Sequence, residues 1–359
     1  MAITAQPGLY GSVSRKPILF TVTGSVGTER IRASIGITGG VGSATITMDR
    51  TYNVGGLFTF DISRAISDYF SQTHLTFNPI GGTAYSNSDR WCLVAVTFTE
   101  FDVVAGTFGD VIEEGINYVS TSIIVLNSNL PHTQLLLTTD QQTGLKFLTN
   151  KTKGVAKLGY TEYLTLYKVG GGSATFNYYN AAGLISSATT PFGALLVMSL
   201  NIGLAIPAGT TWFEVLPGNT AANKIVYKVK DCEVFSLHFV NMYGQVDTML
   251  FTQRLKIQSA KSSSYQKVLP NAPTALDTSL LRYGVDGALQ YKYIANNLQK
   301  EEVDWLNEII KTGYAVTEIG GVYVPVIVAD GSGTEYDSKK KLFSYSVTVQ
   351  ISNEQEGVL

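Results

Sequence analysis

Apolar and polar residues alternate with a period of two along most of this chain, which is the pattern of half-buried β-strands. After Pro17, Ile18, Phe20 and Val22 share one parity against Leu19, Thr21 and Thr23. Ile31, Ala33, Ile35 and Ile37 do the same, Gly39, Gly40 and Gly42 supply a turn, and Ala44, Ile46 and Met48 return. Alternation resumes in "WCLVAVTFTEF" at 91–101, before an acidic stretch with Asp102, Asp110, Glu113 and Glu114. The period changes twice. In "FDISRAISDYF", Ile62, Ala65, Ile66, Tyr69 and Phe70 fall at helical spacing, with Asp61 placed to cap the first turn. In "LQKEEVDWLNEIIKTG", Val303, Leu306 and Ile310 form one row and Trp305 and Ile309 an adjoining one, with Gly313 as the expected C-terminal cap.

The middle of the chain is strand-like again, in "EYLTLYKV", a turn at Gly170 to Gly172, and "SATFNYYNAAG". "KIVYKVKDCEVFSLHFV" reads as one long stretch of strand character, and "VLPNAPTALDTS" as a linker through Pro270 and Pro273. "VTEIGGVYVPVIV" predicts a hairpin about Gly320 and Gly321, with Pro325 marking an edge or bulged strand. The closing "LFSYSVTVQIS" puts Phe343, Tyr345, Val347, Val349 and Ile351 on one face. The expected fold is mainly β: two or three β-sandwich-like modules, a short helix near 61–71 and a C-terminal helix near 298–312. The expected modules are residues 1–134 with an extended arm and the short helix, 135–232 as a middle sandwich, and 233–359 with the helix and hairpin.

One segment raises a chemical question. "EVFSLHFVNMYGQVDTMLFTQR" at 233–254 holds His238 six places after Cys232, with Asp231, Glu233 and Asp247 nearby. Phe235, Leu237 and Phe239 share one strand face and Val234, Ser236 and His238 the other. Six residues of extended chain span about 20 Å, so Cys232 and His238 cannot pair within one strand. Asn241, Met242, Tyr243 and Gly244 supply turn chemistry and Val246 to Thr252 a return, so a structural hairpin is predicted. On that basis His238→Ala is expected to leave assembly nearly intact, and Phe239→Ala to be costly.

Composition fits a turn-rich β-protein: 35 glycines, 20 tyrosines, 16 phenylalanines and only 15% charged residues. A net charge of -2 gives no basic excess for nucleic acid. Lys339 to Lys341, the basic run, reads as a solvated loop. Cys92 and Cys232 match no zinc or redox spacing and are expected to be buried apolar residues. No secretory signal is visible at the start, and the apolar run from Pro191 is too short for a spanning helix. A cytoplasmic site of synthesis and no membrane span are therefore expected.

Specific chemistry finds no motif. "GSVGTER" and "VGGGSATF" lack the GK[ST] of a phosphate cradle and read as turns. His74, His132 and His238, the candidate bases, do not adjoin a G-x-S-x-G and show no metal-ligand spacing. Glu113 and Glu114, and Glu301 and Glu302, are adjacent pairs whose members point apart, the second pair in a first helical turn. Asn150-Lys151-Thr152 matches a glycosylation sequon by chance. No catalytic residue, cofactor or metal ligand is assigned.

The succession "VFSLHFVNMYGQVDTMLFTQR", "VDWLNEIIKTGYAVTEIGGVYVPVIV" and a final alternating strand resembles a C-terminal module in virion proteins of tailed bacteriophages of Bacteroidetes, including crAss-like phages. Phe239, Asn241, Gly244, Asp247, Phe251, Thr252, Trp305 and Leu306 carry the match, as does "YVPVIV" from Tyr323. "KPILFTV", "FTFDISRAI" and "FNYYNAAGLI" also look like this group, whereas Val246 departs from it. What the resemblance implies is a non-enzymatic tail or neck subunit in the virion. Its partners would be copies of itself, in a ring of six-fold or twelve-fold symmetry, and adjacent tail, portal or neck proteins, with DNA met only as it passes through the lumen. The alternative is a receptor- or carbohydrate-binding tail adhesin, to which the tyrosines would suit. A glycan-cleaving enzyme would need two carboxylates that the sequence does not locate.

Overall fold

A computed structural model describes residues 2–7, 12–13, 17–24, 30–39, 42–51, 56–71, 84–85, 90–104, 107–111, 118–127, 144–169, 172–191, 197–218, 223–266, 280–329, 333–337 and 342–351. The fold is mainly β, and the described strands fall into five sheets. The two expected helices are present, at Ser63–Ser71 and Lys300–Lys311. Contacts divide the chain into two units, the first made of 1–152, 156–229 and 240–247, the second of 153–155, 230–239 and 248–359. The expected linker at 268–279 lies outside the described residues, as do His74, His132, Glu113, Glu114 and Lys339 to Lys341.

In the first unit, Leu19–Thr23 lies between Ala2–Ala5 and Leu57–Asp61. Arg30–Gly39 lies between Gly42–Thr51 and the long strand Trp91–Val104. Their alternation is used as the sequence predicts: Ile18, Phe20, Val22, Ile31, Ala33, Ile35 and Ile37 are buried in one core with Phe60, Val94, Val96 and Phe98. Ser63–Ser71 adds Ile66, Tyr69 and Phe70 to that core. Asp61 starts the helix, its Oδ1 accepting from the N–H of Ser63 at 3.0 Å and of Ile18 at 3.1 Å. One carboxylate thereby satisfies an orphan helix donor and a strand end together.

Also in this unit, Tyr163–Val169 pairs with Gly144–Phe147 and Val197–Asn201. Ser173–Asn180 forms a hairpin with Gly183–Pro191 and pairs on its other side with Trp212–Pro217, which pairs with Ile225–Val229. Leu164, Leu166, Met198 and Leu200 meet Phe176, Tyr178, Phe213, Val215 and Tyr227 in a second core. Close approach fixes Gly203: a Cβ there would stand 1.8 Å from the Tyr160 carbonyl oxygen. Any larger residue would have to displace backbone.

The second unit is built on one sheet in which Phe235–Val240, Ala315–Ile319, Val322–Val328, Leu342–Ile351, Leu280–Leu298 and Gln253–Gln266 are successive neighbours. "KIVYKVKDCEVFSLHFV" is thus two strands, interrupted at 230–234. Gln253–Gln266 and Leu280–Leu298 pair through fourteen positions from Gln253↔Ile294 to Gln266↔Leu280, a ribbon about 45 Å long at strand rise. Asn297 then takes φ 61°, a left-handed conformation that asparagine tolerates, and the chain enters Lys300–Lys311. Glu302 Oε2 accepts from the Gln299 N–H at 2.8 Å, closing the first turn.

Val303, Trp305, Leu306 and Ile309 are buried against the sheet, and the Tyr345 hydroxyl donates to the Leu306 carbonyl at 2.9 Å. Ile310 departs from its expected row and is 45% exposed, because the buried stripe runs through Trp305 and Ile309 instead. Gly313 is not a left-handed cap. The helix ends at Thr312, whose N–H reaches Ile309 O and whose hydroxyl accepts from the Tyr314 N–H. Gly320 and Gly321 have φ of 61° and 82°, as a tight hairpin turn requires. Pro325 pairs with Val316, and the described pairing on the strand's other side begins only at Val326. Its missing N–H therefore breaks no described ladder bond there.

Phe239 and Trp305 approach at 5.7 Å between ring centroids, and both are nearly inaccessible. Phe239→Ala is expected to cost about 3 to 5 kcal/mol in chemical denaturation, against less than about 0.5 kcal/mol for a change at exposed Ile310.

Candidate functional site

The hairpin that posed the chemical question forms, from Phe235–Val240 and Val246–Phe251. Leu237 and Phe239 enter the apolar core, while His238 faces Thr248 and Tyr323. His238 Nδ1 lies 2.8 Å from Thr248 Oγ1 and the imidazole 5.5 Å from the Tyr323 ring. At 1% exposure His238 is enclosed. Both strand faces are covered, so truncation to alanine leaves a void and a buried hydroxyl that has lost this imidazole, a cost to stability that the face parity alone did not signal. Among the described residues, no group of three or more His, Cys, Asp and Glu could hold a metal. Cys92 is buried, which pushes its thiol up to about 12, whereas Cys232 is exposed, contrary to expectation. It lies in the non-strand stretch 230–234, where apolar parity no longer governs burial.

Polar side chains gather instead in the first unit, around residues that motif reading did not select. Asn241 organises the turn: its Oδ1 accepts from the Tyr243 and Gln245 N–H groups, each at 3.0 Å, and its Nδ2 donates to the Leu148 carbonyl at 2.8 Å. Thr149 donates through Oγ1 to Asp247 Oδ2 at 2.6 Å and accepts the Lys151 N–H at 3.0 Å. Lys151 Nζ contacts Glu162 Oε1, and both side chains are fully buried. Glu162 in turn donates its N–H to Asn201 Oδ1 at 3.1 Å. The Tyr227 ring lies under the Lys151 ammonium at 5.2 Å. Its hydroxyl is close enough to Glu162 to interact electrostatically, without a well-formed hydrogen bond.

Glu162 and Asp247 are two enclosed carboxylates that repel each other, and Glu162 faces the enclosed ammonium of Lys151. Burial pushes the Glu162 carboxyl from 4.5 up to about 7, against the opposing pull of Lys151, and Asp247 adds to the rise. Burial, then the two carboxylates, also carries the Tyr227 hydroxyl well above its ordinary value. The cluster fixes the position of strands whose backbone and side-chain groups would otherwise be desolvated without partners.

Next to it is a pocket of about 350 Å³. Phe147, Thr149 and Lys151 contribute to its lining, with Asn150, Asn223, Lys224 and Tyr243 around them. The Tyr243 hydroxyl donates to Asn150 Oδ1 at 3.0 Å. Lys224 Nζ pairs with Glu214 Oε2 at 2.8 Å, and Glu214 Oε1 accepts from Tyr179 and Asn177. Amides, a hydroxyl and an aromatic ring beside neutralised cations suit a neutral, hydroxyl-bearing ligand better than an anion.

Sequence reasoning brought Asp247 forward but not Thr149, Lys151, Glu162 or Tyr227, and passed over Lys151 inside a chance sequon. Neither a protein-family model nor a curated protein sequence matches this chain. No helix among the described residues is long and apolar enough to cross a membrane.

Two outcomes test the cluster. Glu162→Gln removes the carboxylate that faces the buried Lys151 ammonium and is expected to cost about 3 to 5 kcal/mol, while Lys151→Met with Glu162→Leu costs less than either single change; urea denaturation of the variants checks this. With its folded-state pKa above the unfolded value, Glu162 favours folding fully below about pH 4.5 and loses that contribution as pH rises through about 7. The wild-type melting temperature is therefore expected to fall more steeply between pH 5 and pH 8 than that of Glu162→Gln.

Proposed function

We propose that this protein is a non-enzymatic structural subunit of a tailed-bacteriophage virion, assembling with copies of itself as a ring in the tail or neck beside adjoining tail, portal or neck proteins. The supporting observation is the use made of the residues that carry the resemblance. Phe239, Phe251, Trp305 and Leu306 are core residues, Asn241 and Gly244 build a turn, and Asp247 is held by Thr149. Buried acids in the cluster are engaged in pairing, and a subunit of this kind acts through complementary surfaces rather than a reactive group.

A second reading, a glycan-binding tail adhesin, is favoured by the amide- and tyrosine-lined pocket of about 350 Å³. Protein mass spectrometry and cryo-EM of purified particles distinguish the two. A closed ring of this chain within the tail or neck stack is expected. Its absence from particles overturns the proposal, and a position at the distal tip with glycan-array binding that Tyr243→Ala abolishes selects the adhesin.

A further inference from the structure

The strand Gly183–Pro191 is the last of its sheet among the described residues. Its sequence, GLISSATTP, carries no charge over nine residues. One edge pairs with Ser173–Asn180 through eight register positions, and on the other side no strand among the described residues pairs with it. Every residue of it is exposed or half-exposed. Phe176 and Tyr178 of the neighbouring strand are buried, whereas the residues opposite them are not: Ala188 is exposed and Ser186 half-exposed. Leu184 is 58% and Ile185 39% exposed. Natural sheets guard such edges with lysine, proline, bulges or a cover. Here the edge strand carries one irregularity near the turn, where Tyr178 pairs with Ser186 and Tyr179 with Leu184 so that Ile185 is the extra residue, and Pro191 stands only at the end, which leaves Ser186 to Thr190 in unbroken register.

We infer that this edge is an assembly surface that receives, by strand addition, the edge strand Gly42–Thr51 of a second copy of this chain. An open row of main-chain N–H and C=O groups is satisfied along its length by another extended strand. A charge-free edge gives a charged partner nothing to select. Gly42–Thr51 has ten residues, is the last strand of its own sheet among the described residues, is exposed or half-exposed throughout, and carries no charge from Gly42 to Met48. Its first charge, Asp49, is engaged by Arg32 Nε at 2.8 Å. Pairing two different edges is a head-to-tail contact, the kind that generates rings rather than two-fold dimers. The inference rests on the ring reading and specifies its interface.

The test uses the full-length protein with a photoreactive benzoylphenylalanine at position 188, alongside wild type, both read by native mass spectrometry with melting curves confirming the fold. The expected cross-link joins position 188 to a peptide within 42–51 of another copy. Ring formation without that cross-link overturns the edge assignment and leaves the ring reading standing. A monomeric wild type with no cross-link defeats both, and a cross-link to 183–191 of the other copy indicates a two-fold dimer and overturns the head-to-tail pairing. Ala188→Pro and Thr189→Pro add a second readout, because alternate residues direct their N–H to opposite sides. Whichever variant keeps the wild-type melting temperature has its proline on the open edge, and its oligomer fraction is expected to fall at least tenfold. An unchanged fraction in that variant overturns the inference.

Discussion

A buried turn must satisfy its own backbone, and Asn241 meets that requirement. One side chain accepts from two turn N–H groups and donates to the Leu148 carbonyl, while itself being 3% exposed. No carboxylate could replace it without losing the donated bond, and no apolar residue without leaving two donors and an acceptor dry. Leu148, once held, sets the position of Thr149 and Lys151 after it. Thr149 meets Asp247, Lys151 meets Glu162, and Glu162 meets Asn201 through its backbone. One amide thus ties the turn to the segment that carries Thr149 and Lys151.

This arrangement bears on function through the state of its acids. A catalytic carboxylate needs access to substrate, and a raised pKa alone does not provide that access. Glu162 is wholly enclosed, and its elevated carboxyl follows from burial beside a second acid. Among the described residues, the surfaces that face outward are different in kind and include an uncharged strand at the end of its sheet, a long two-stranded ribbon and a modest polar pocket. Extended edges and ribbons are features by which β-proteins add to one another.

Periodicity made most of the fold legible. The alternations at 18–22, 31–37 and 343–351 point to their cores as read, Asp61 caps its helix, and Gly320 and Gly321 make their turn. What it could not report is whether a strand's second face is also covered, as it is around His238. The ribbon was hidden because "KIQSAKSSSYQ" alternates little apolar against polar, its pairing being carried by backbone. The cluster was hidden because its members are far apart in sequence: Lys151 to Glu162 is eleven residues and Thr149 to Asp247 ninety-eight. Neither separation has a local signal. Ile310 shows the finer limit, since a residue at the margin of a helical stripe can be exposed when the stripe rotates by one position.

If the turn amide is the support of this region, its loss should exceed that of an ordinary hydrogen bond. Urea denaturation of Asn241→Ala measures this directly. A loss of about 3 kcal/mol or more is expected, from three broken bonds and the buried groups left without partners. A stability within about 0.5 kcal/mol of wild type would contradict the structural role assigned to Asn241 and reopen the segment to a chemical one.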